Sequence, residues 1–423
     1  MVCALVLLAA PARAGDDWVA RAIDPRLPDR PAVALGPDGS GVLAYADARA
    51  VWVRAIARDG KLGAPRRVPG PRPSVAWATA AIDARGAVTV AWMADTRGGA
   101  LVLASWAAGG TPAEGTPVSP AGSRVGGVVL ATRAGGGTIA AWSETRLPAA
   151  PDQLVAATLV MPGQPLQRTE VLTLGPSERA TDIFAASDQA GRPIVAARAV
   201  SSFGRGPAAL VTADSAVADG FSPQRAVRRQ SLDGSDLQGL RLLTNRRGGQ
   251  LAVWLTGPFN GERRIVAARR QPGGAFGPVR LLARGRRMQA VAAAMTASGN
   301  AAVAWTPMEG GLSPVLMRTR TGGRWRPAER LTAPGRSAQQ VELAFDARGR
   351  ATIAWASLHG IHARQWGAGH LTGDRAISAP WRNRLCWEPA LTVAPRGAAA
   401  ATFLCTRRGA HPIHVLAYRP AAQ

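Results

Sequence analysis

The chain alternates short apolar runs with tight glycine turns, and the alternation recurs as a unit. Each unit holds an apolar strand, a turn ending in glycine, and a second apolar strand closed by an aromatic residue. The copies run 33–39 to Tyr45, 81–86 to Trp92, 131–136 to Trp142 and 186–191 to Ala196. They continue 243–248 to Trp254, 295–299 to Trp305, 345–349 to Trp355 and 393–397 to Phe403. The turn glycines fall at 39, 86, 136, 191, 248, 299, 349 and 397. Their mean spacing is about 51 residues, the period of a propeller blade rather than of a helical repeat. A third strand follows each pair, as at 51–56 and 265–269. A fourth opens on a large apolar residue with proline two positions on: Phe221 and Pro223, Phe276 and Pro278, Trp325 and Pro327. Proline cannot donate to a strand ladder, so this strand belongs at a sheet edge.

The pattern predicts an all-β fold: a single β-propeller of about eight four-stranded blades. Seven is the alternative count, because the fourth copy lacks its aromatic. Eight units take about 409 residues, the length that remains after Ala14. The ends fit a closed ring. The last unit supplies three strands, finishing at 414–418, and residues 17–23 read as its missing fourth. Alanine-rich runs such as 291–295 favour helix on propensity alone. Their place in the repeat overrides that preference.

Composition adds charge and compartment. Lys and Arg total 51 against 27 Asp and Glu, a net charge of +24, and Lys61 is the single lysine. So basic a protein attracts polyanions: acidic glycans, envelope polymers, anionic lipid surfaces or nucleic acid. Residues 1–14 form a short apolar stretch ending in Ala12-Arg13-Ala14, a small-x-small cleavage pattern. They read as a signal peptide, with residues 15–423 as the propeller domain and a secreted or cell-envelope location. No later stretch is long and apolar enough to be transmembrane. Cys386 and Cys405 then remain, placed symmetrically about the Pro395-Arg396 turn. In a hairpin they face each other within disulfide range.

The strand, Asp-x-x-Gly turn, strand, Trp phrase resembles the Asp-box repeats of sialidase-like propellers. It is also similar to the tryptophan-docking repeats of quinone-dependent dehydrogenase propellers. Asp38, Asp83, Asp188 and Asp346 occupy the turn acid, and Asn245 replaces it once. The Trp falls later than either family places it. Sialidases need an arginine cluster, a nucleophilic tyrosine and an acid. This chain has two tyrosines, Tyr45 and Tyr418, and lacks a Phe/Tyr-Arg-Ile-Pro motif. The resemblance implies a fold and carries no active site.

Candidate chemistry centres on two regions. The loops after the second strands of blades 1 to 3 read Asp47-Ala-Arg49, Asp95-Thr-Arg97 and Glu144-Thr-Arg146, and Glu309 sits in a similar loop of blade 6. They read as a polar rim for a glycan, peptide or cation, or as inter-blade ion pairs. Asp47, Asp95 and Glu144 are also the one plausible source of the carboxylate pair a glycosidase needs. The second region is blade 5 with its flanks. Arg246, Arg247, Arg263, Arg264, Arg269, Arg270, Arg286 and Arg287 form a basic patch facing few acids. Guanidinium forks suit carboxylate, sulfate or phosphate. Nucleic acid fits poorly, because aromatic stacking platforms are not interleaved with the arginines.

Of the five histidines, His359, His362, His370, His411 and His414, two pairs are spaced by three, which on a strand puts side chains on opposite faces, and all read as loop positions rather than a metal site. No metal and no cofactor is expected. The recurrent Trp residues read as core anchors. The leading expectation is a non-catalytic extracellular binding or scaffold propeller. Its partner is an anionic polysaccharide, a cell-envelope polymer or another protein. The alternatives are a carbohydrate-active hydrolase using the loop carboxylates, and a structural part of a surface assembly.

Overall fold

The computed structural model describes residues 18–23, 31–47, 49–94, 99–120, 122–146, 153–174, 178–201, 208–215, 221, 226–231, 238–258, 261–288, 290–308, 313–334, 336–367, 369–381, 384–406 and 412–421. The signal-peptide expectation for residues 1–14 lies outside them. The described residues form eight antiparallel sheets arranged as the blades of a propeller. Strands follow one another outward in chain order. Blade 2 runs Pro73–Ile82, Val88–Ala94, Ala100–Trp106 and Thr116–Pro117, from the channel to the rim. Blade 5 runs Gln238–Thr244, Gln250–Thr256, Glu262–Arg270 and Arg280–Arg286. In blades 6 and 7 the outer strand comes in two pieces, Arg324–Trp325 with Glu329–Arg330 and His370–Leu371 with Arg375–Ala376. Pro327 and Gly373 fall in these breaks, the former unable to donate to the ladder. The sole helix among the described residues is the single 3₁₀ turn Ala379–Trp381.

The ring closes as the ends of the chain foretell. Val19–Ala22 pairs antiparallel with the last strand, Ile413–Arg419, in the register Val19 to Tyr418. The eighth blade therefore takes its outer strand from the start of the chain. Cys386 and Cys405 are cross-strand partners in this blade and are disulfide-bonded, with Cα atoms 4.1 Å apart.

A blade hides its apolar faces only against its neighbours. The buried apolar side chains of the described residues fall into eight clusters, and each cluster joins two adjacent blades. The cluster at the closing interface joins Ala398, Ala400 and Tyr418 of blade 8 to Leu43, Tyr45 and Ile56 of blade 1. Trp92, Trp142, Trp254, Trp305 and Trp355 are buried at one repeated position. Each removes roughly 200 Å² from water. Blade 4 shows where that position falls when the aromatic is missing. Ile183 pairs with Ala197 as Val128 pairs with Trp142, so Ala197 holds the slot, one residue beyond the Ala196 of the sequence phrase.

The turns between first and second strands form a second continuous system. All eight turn glycines have φ between +77° and +96°, a region that side-chain-bearing residues rarely adopt. Each glycine N–H donates to the carbonyl three residues back. In five turns the side chain at that earlier residue, Asp83, Asp188, Asn245, Thr296 or Asp346, straps the turn. Asp83 Oδ1 accepts from the N–H groups of Arg85 and Ala87, and Asn245 Oδ1 from those of Arg247 and Gly249. Asp188 and Asp346 do the same for Arg192 and Arg350, and also bind those arginines' side chains. Asp38 differs. It sits two residues later in its turn and binds Ser40 and Arg58. The turns also bond to one another round the ring: Asp83 accepts from Gly137 N–H, Arg133 Nε donates to Gly191 O, and Ala347 N–H donates to Pro395 O. Buried turn acids are thus consumed by backbone donors.

At the closing interface Tyr418 completes this system. Its hydroxyl donates to Gly39 O at 2.8 Å and lies 3.0 Å from Arg58 O. Burial, with Asp38 and Asp59 nearby, pushes the phenol up to about 12. A raised acid favours the protonated fold, so this contribution is complete below the unfolded value near 10 and lost as pH climbs towards 12. Tyr418→Phe should lower stability to urea by about 1–3 kcal/mol at pH 8 by leaving Gly39 O without its donor. It should also flatten the loss of stability between pH 10 and 12. A variant melting like the wild type at both pH values contradicts this account of the seam.

Candidate binding surface

The loop carboxylates take different places in the structure. Asp47 builds its own loop. Its Oδ1 accepts from the N–H groups of Arg49 and Ala50 at 2.7 and 2.8 Å, and its Oδ2 from Trp52 Nε1 at 2.9 Å. Burial alone would raise its pKa, but these donors hold it below the ordinary carboxylate value. Arg49 is exposed beside it. Glu144 lies on the second strand of blade 3, Thr138–Arg146, and is fully buried. Ser123 Oγ donates to Oε1 and Trp142 Nε1 to Oε2, at 3.0 and 3.2 Å. Arg168 reaches both oxygens at 3.1 Å, from Nη2 and Nε. Glu144 therefore neutralises Arg168 and anchors the blade 3 tryptophan. Asp95, Arg97, Glu309 and the side chain of Arg146 lie outside the described residues.

The arginines of blade 5 divide by depth. Arg263 and Arg270 are buried in the blade. Arg263 Nη1 donates to Met288 O at 2.8 Å. Arg270 pairs with Asp214 of blade 4 at 2.5 Å, donates to Gln250 Oε1 at 2.6 Å, and stacks over Phe276. These two hold the blade together. Arg246, Arg247, Arg264, Arg269, Arg286 and Arg287 are exposed, and so are Arg280 and Arg284, which the sequence-derived patch omitted. Their strand alternation was the available signal. Residues two apart on a strand point the same way, about 7 Å apart, which puts Arg284 and Arg286 side by side.

On the third strand, Glu262 faces Arg286 and Arg264 faces Arg284. Gly261, Glu262, Arg284, Gly285, Arg286, Arg287 and Met308 line an open groove of about 1030 Å³. Arg287 adopts the left-handed region at φ 51°, turning the chain at the groove's end. At the opposite end of this blade, burial and the charges of Arg269 and Arg280 lower the pKa of Arg320 in blade 6. Crowded guanidinium groups leave this flank unneutralised.

The described histidines do not assemble. His359 and His370 are exposed, His414 is buried, and His411 lies outside the described residues. His362 stacks on Trp355 and meets Asp374 at 2.9 Å. Among the described residues no three His, Cys, Asp or Glu side chains gather as metal ligands. No helix among them is long and apolar enough to cross a membrane.

These features define an eight-bladed β-propeller with a basic outer edge. The chain matches no family model and no curated protein. It is similar in fold to the polysaccharide lyase Uly1, with 9% identity and a TM-score of 0.52, covering 94% of this chain and 90% of that one. It is also similar to a puromycin hydrolase at 16% identity and a TM-score of 0.51. That match covers 89% of this chain, which spans 58% of the hydrolase. Prolyl oligopeptidase B from Galerina marginata matches at 8% identity and a TM-score of 0.51, over 94% of this chain and 56% of that one. At such identities the likeness is one of fold alone.

Glu144→Ala tests the structural role of the buried carboxylate. It leaves Arg168 without its bidentate partner and should cost about 3 kcal/mol of stability in urea unfolding. Unfolding at wild-type denaturant concentration contradicts the assignment.

Proposed function

We propose that this protein is a non-catalytic, extracytoplasmic binding module that holds an anionic polymer against the outer edge of blade 5. The supporting observation is the convergence of Arg284, Arg286 and Arg287 around a groove whose one acid, Glu262, is already paired with Arg264. The outer strand Arg280–Arg286 is a sheet edge, and Val279 and Leu281 are exposed beside its arginines. Planar guanidinium groups bind carboxylate, sulfate or phosphate bidentately. Repeated charges along a polymer suit a strand that repeats arginine.

The described loop carboxylates support a binding role over a hydrolytic one. Asp47 and Glu144 are both saturated with donors. A proton-transferring carboxyl group needs access to substrate. The disulfide is compatible with an oxidising compartment, where envelope polysaccharides are available partners.

Dextran sulfate and polygalacturonate, titrated at low and high salt, test the proposal. Binding should weaken at least about tenfold on raising sodium chloride from 50 to 500 mM. The variant Arg284→Glu/Arg286→Glu should lose most affinity while Arg49→Glu retains it. Binding indifferent to salt, or equal losses from both charge reversals, contradicts the blade 5 site.

A further inference from the structure

The eight blade interfaces share one plan, so each serves as a control for the others. On the side of the turn glycines, each blade ends its third strand in a residue opposite the start of the second strand. In five blades a large residue opening the outer strand packs beside it. In blade 5 the two are Arg270 and Phe276, and in blade 8 they are Arg419 and Trp18. In both, the guanidinium carbon lies 5.6 Å from the ring centre. Leu62, Trp325 and Leu371 fill the outer position in blades 1, 6 and 7. The space left beside Phe276 is about 20 Å³, and that beside Trp18 about 30 Å³.

Blade 2 departs from the plan. Trp106 occupies the third-strand position, opposite Val88. The outer position holds Pro112, followed by Ala113, and the hairpin leading to it contains Gly109 and Gly110. Nothing large packs beside Trp106 from the outer strand. The result is a cleft of about 510 Å³ between blades 1 and 2, within the size range of small-molecule sites. Its apolar walls are Val42, Val53, Ile56, Ile82, Val88 and Trp106.

The rim is charged. Arg66 of blade 1 reaches Gly110 O of blade 2 at 3.2 Å, bridging the opening with an exposed side chain. Arg85 borders the same rim, its side chain lying across Gly136 of blade 3. Among the described residues neither arginine has a carboxylate partner. The nearby Asp38 does not neutralise them. Hydrogen bonds from Ser40 and Arg58 outweigh its partial burial and hold it at about 2, fully ionised and committed.

We infer that this cleft binds a small amphiphilic anion: a flat apolar body seated against Trp106, with one carboxylate or sulfonate held by Arg66 and Arg85. Asp38 excludes a second negative group from the same end. The site is separate from the polymer-binding edge of blade 5, lies at another interface, and takes a ligand of another kind.

The dye 1-anilinonaphthalene-8-sulfonate and its uncharged counterpart N-phenyl-1-naphthylamine test this by fluorescence titration on the full chain. The sulfonate should bind saturably at one site, about tenfold tighter than the neutral dye. Pro112→Phe restores the missing anchor and should abolish saturable binding of both. Arg66→Ala/Arg85→Ala should weaken the sulfonate about tenfold and leave the neutral dye unchanged. Ala55→Phe fills the cleft from its exposed blade 1 wall and replaces Pro112→Phe if that variant does not fold. Full binding to a folded filled variant overturns the inference. So does equal affinity of the wild type for the two dyes.

Discussion

The structure depends on burying apolar sheet faces that no blade can cover by itself. Every cluster of buried side chains spans two blades. An open row of blades would leave two greasy faces and two free edges in water. Closure removes both. It is achieved with a strand of four residues, Val19–Ala22, whose burial pattern is mostly exposed. What fixes that strand is its surroundings: Trp18 under Arg419, Ile23 bonded to His414 O, and the disulfide in the same sheet. Tyr418 then ties the last blade to the first turn of the ring.

Repetition explains which features could be read from the residues. The turn glycines and the strands around them follow from local chemistry repeated eight times, and the closing strand and the cysteine pair from their places in the last copy. A glycine required at positive φ and a hairpin partner at equal distance from a turn are both local facts. Depth is not local. Arg263 and Arg264 are adjacent, yet one is buried and the other exposed, because strand alternation sends them to opposite faces. Arg270 is buried because Asp214, in the preceding blade, waits to receive it. Glu144 resembles the exposed loop acids in its motif, but Ser123, Trp142 and Arg168 close over it. The cleft between blades 1 and 2 is marked by a residue that is absent. It becomes visible only when blade 2 is compared with its neighbours.

Arginine serves two purposes in this chain. Inside, it bridges blades through backbone carbonyls. Arg318 reaches Leu282 O in the preceding blade and Arg364 reaches Leu331 O in the same manner. These guanidinium groups are strapped to the outer strands and have little freedom to bind a ligand. Outside, along blade 5 and at the mouth of the blade 1–2 cleft, the arginines are exposed, and among the described residues Arg66, Arg85, Arg284 and Arg286 have no carboxylate partner. The net charge of +24 therefore overstates the basic surface, which is concentrated in particular sectors.

The dependence on closure is tested most directly by removing the closing strand. Hydrogen exchange of the Ile413–Arg419 amides should be compared between the full chain and a variant lacking residues 1–23. The account predicts that protection in this strand and in blade 1 collapses in the shortened chain. A synthetic peptide of residues 17–24 should restore it. Unchanged protection without residues 1–23 would show that the blades hold together without a sealed ring, and would contradict the account.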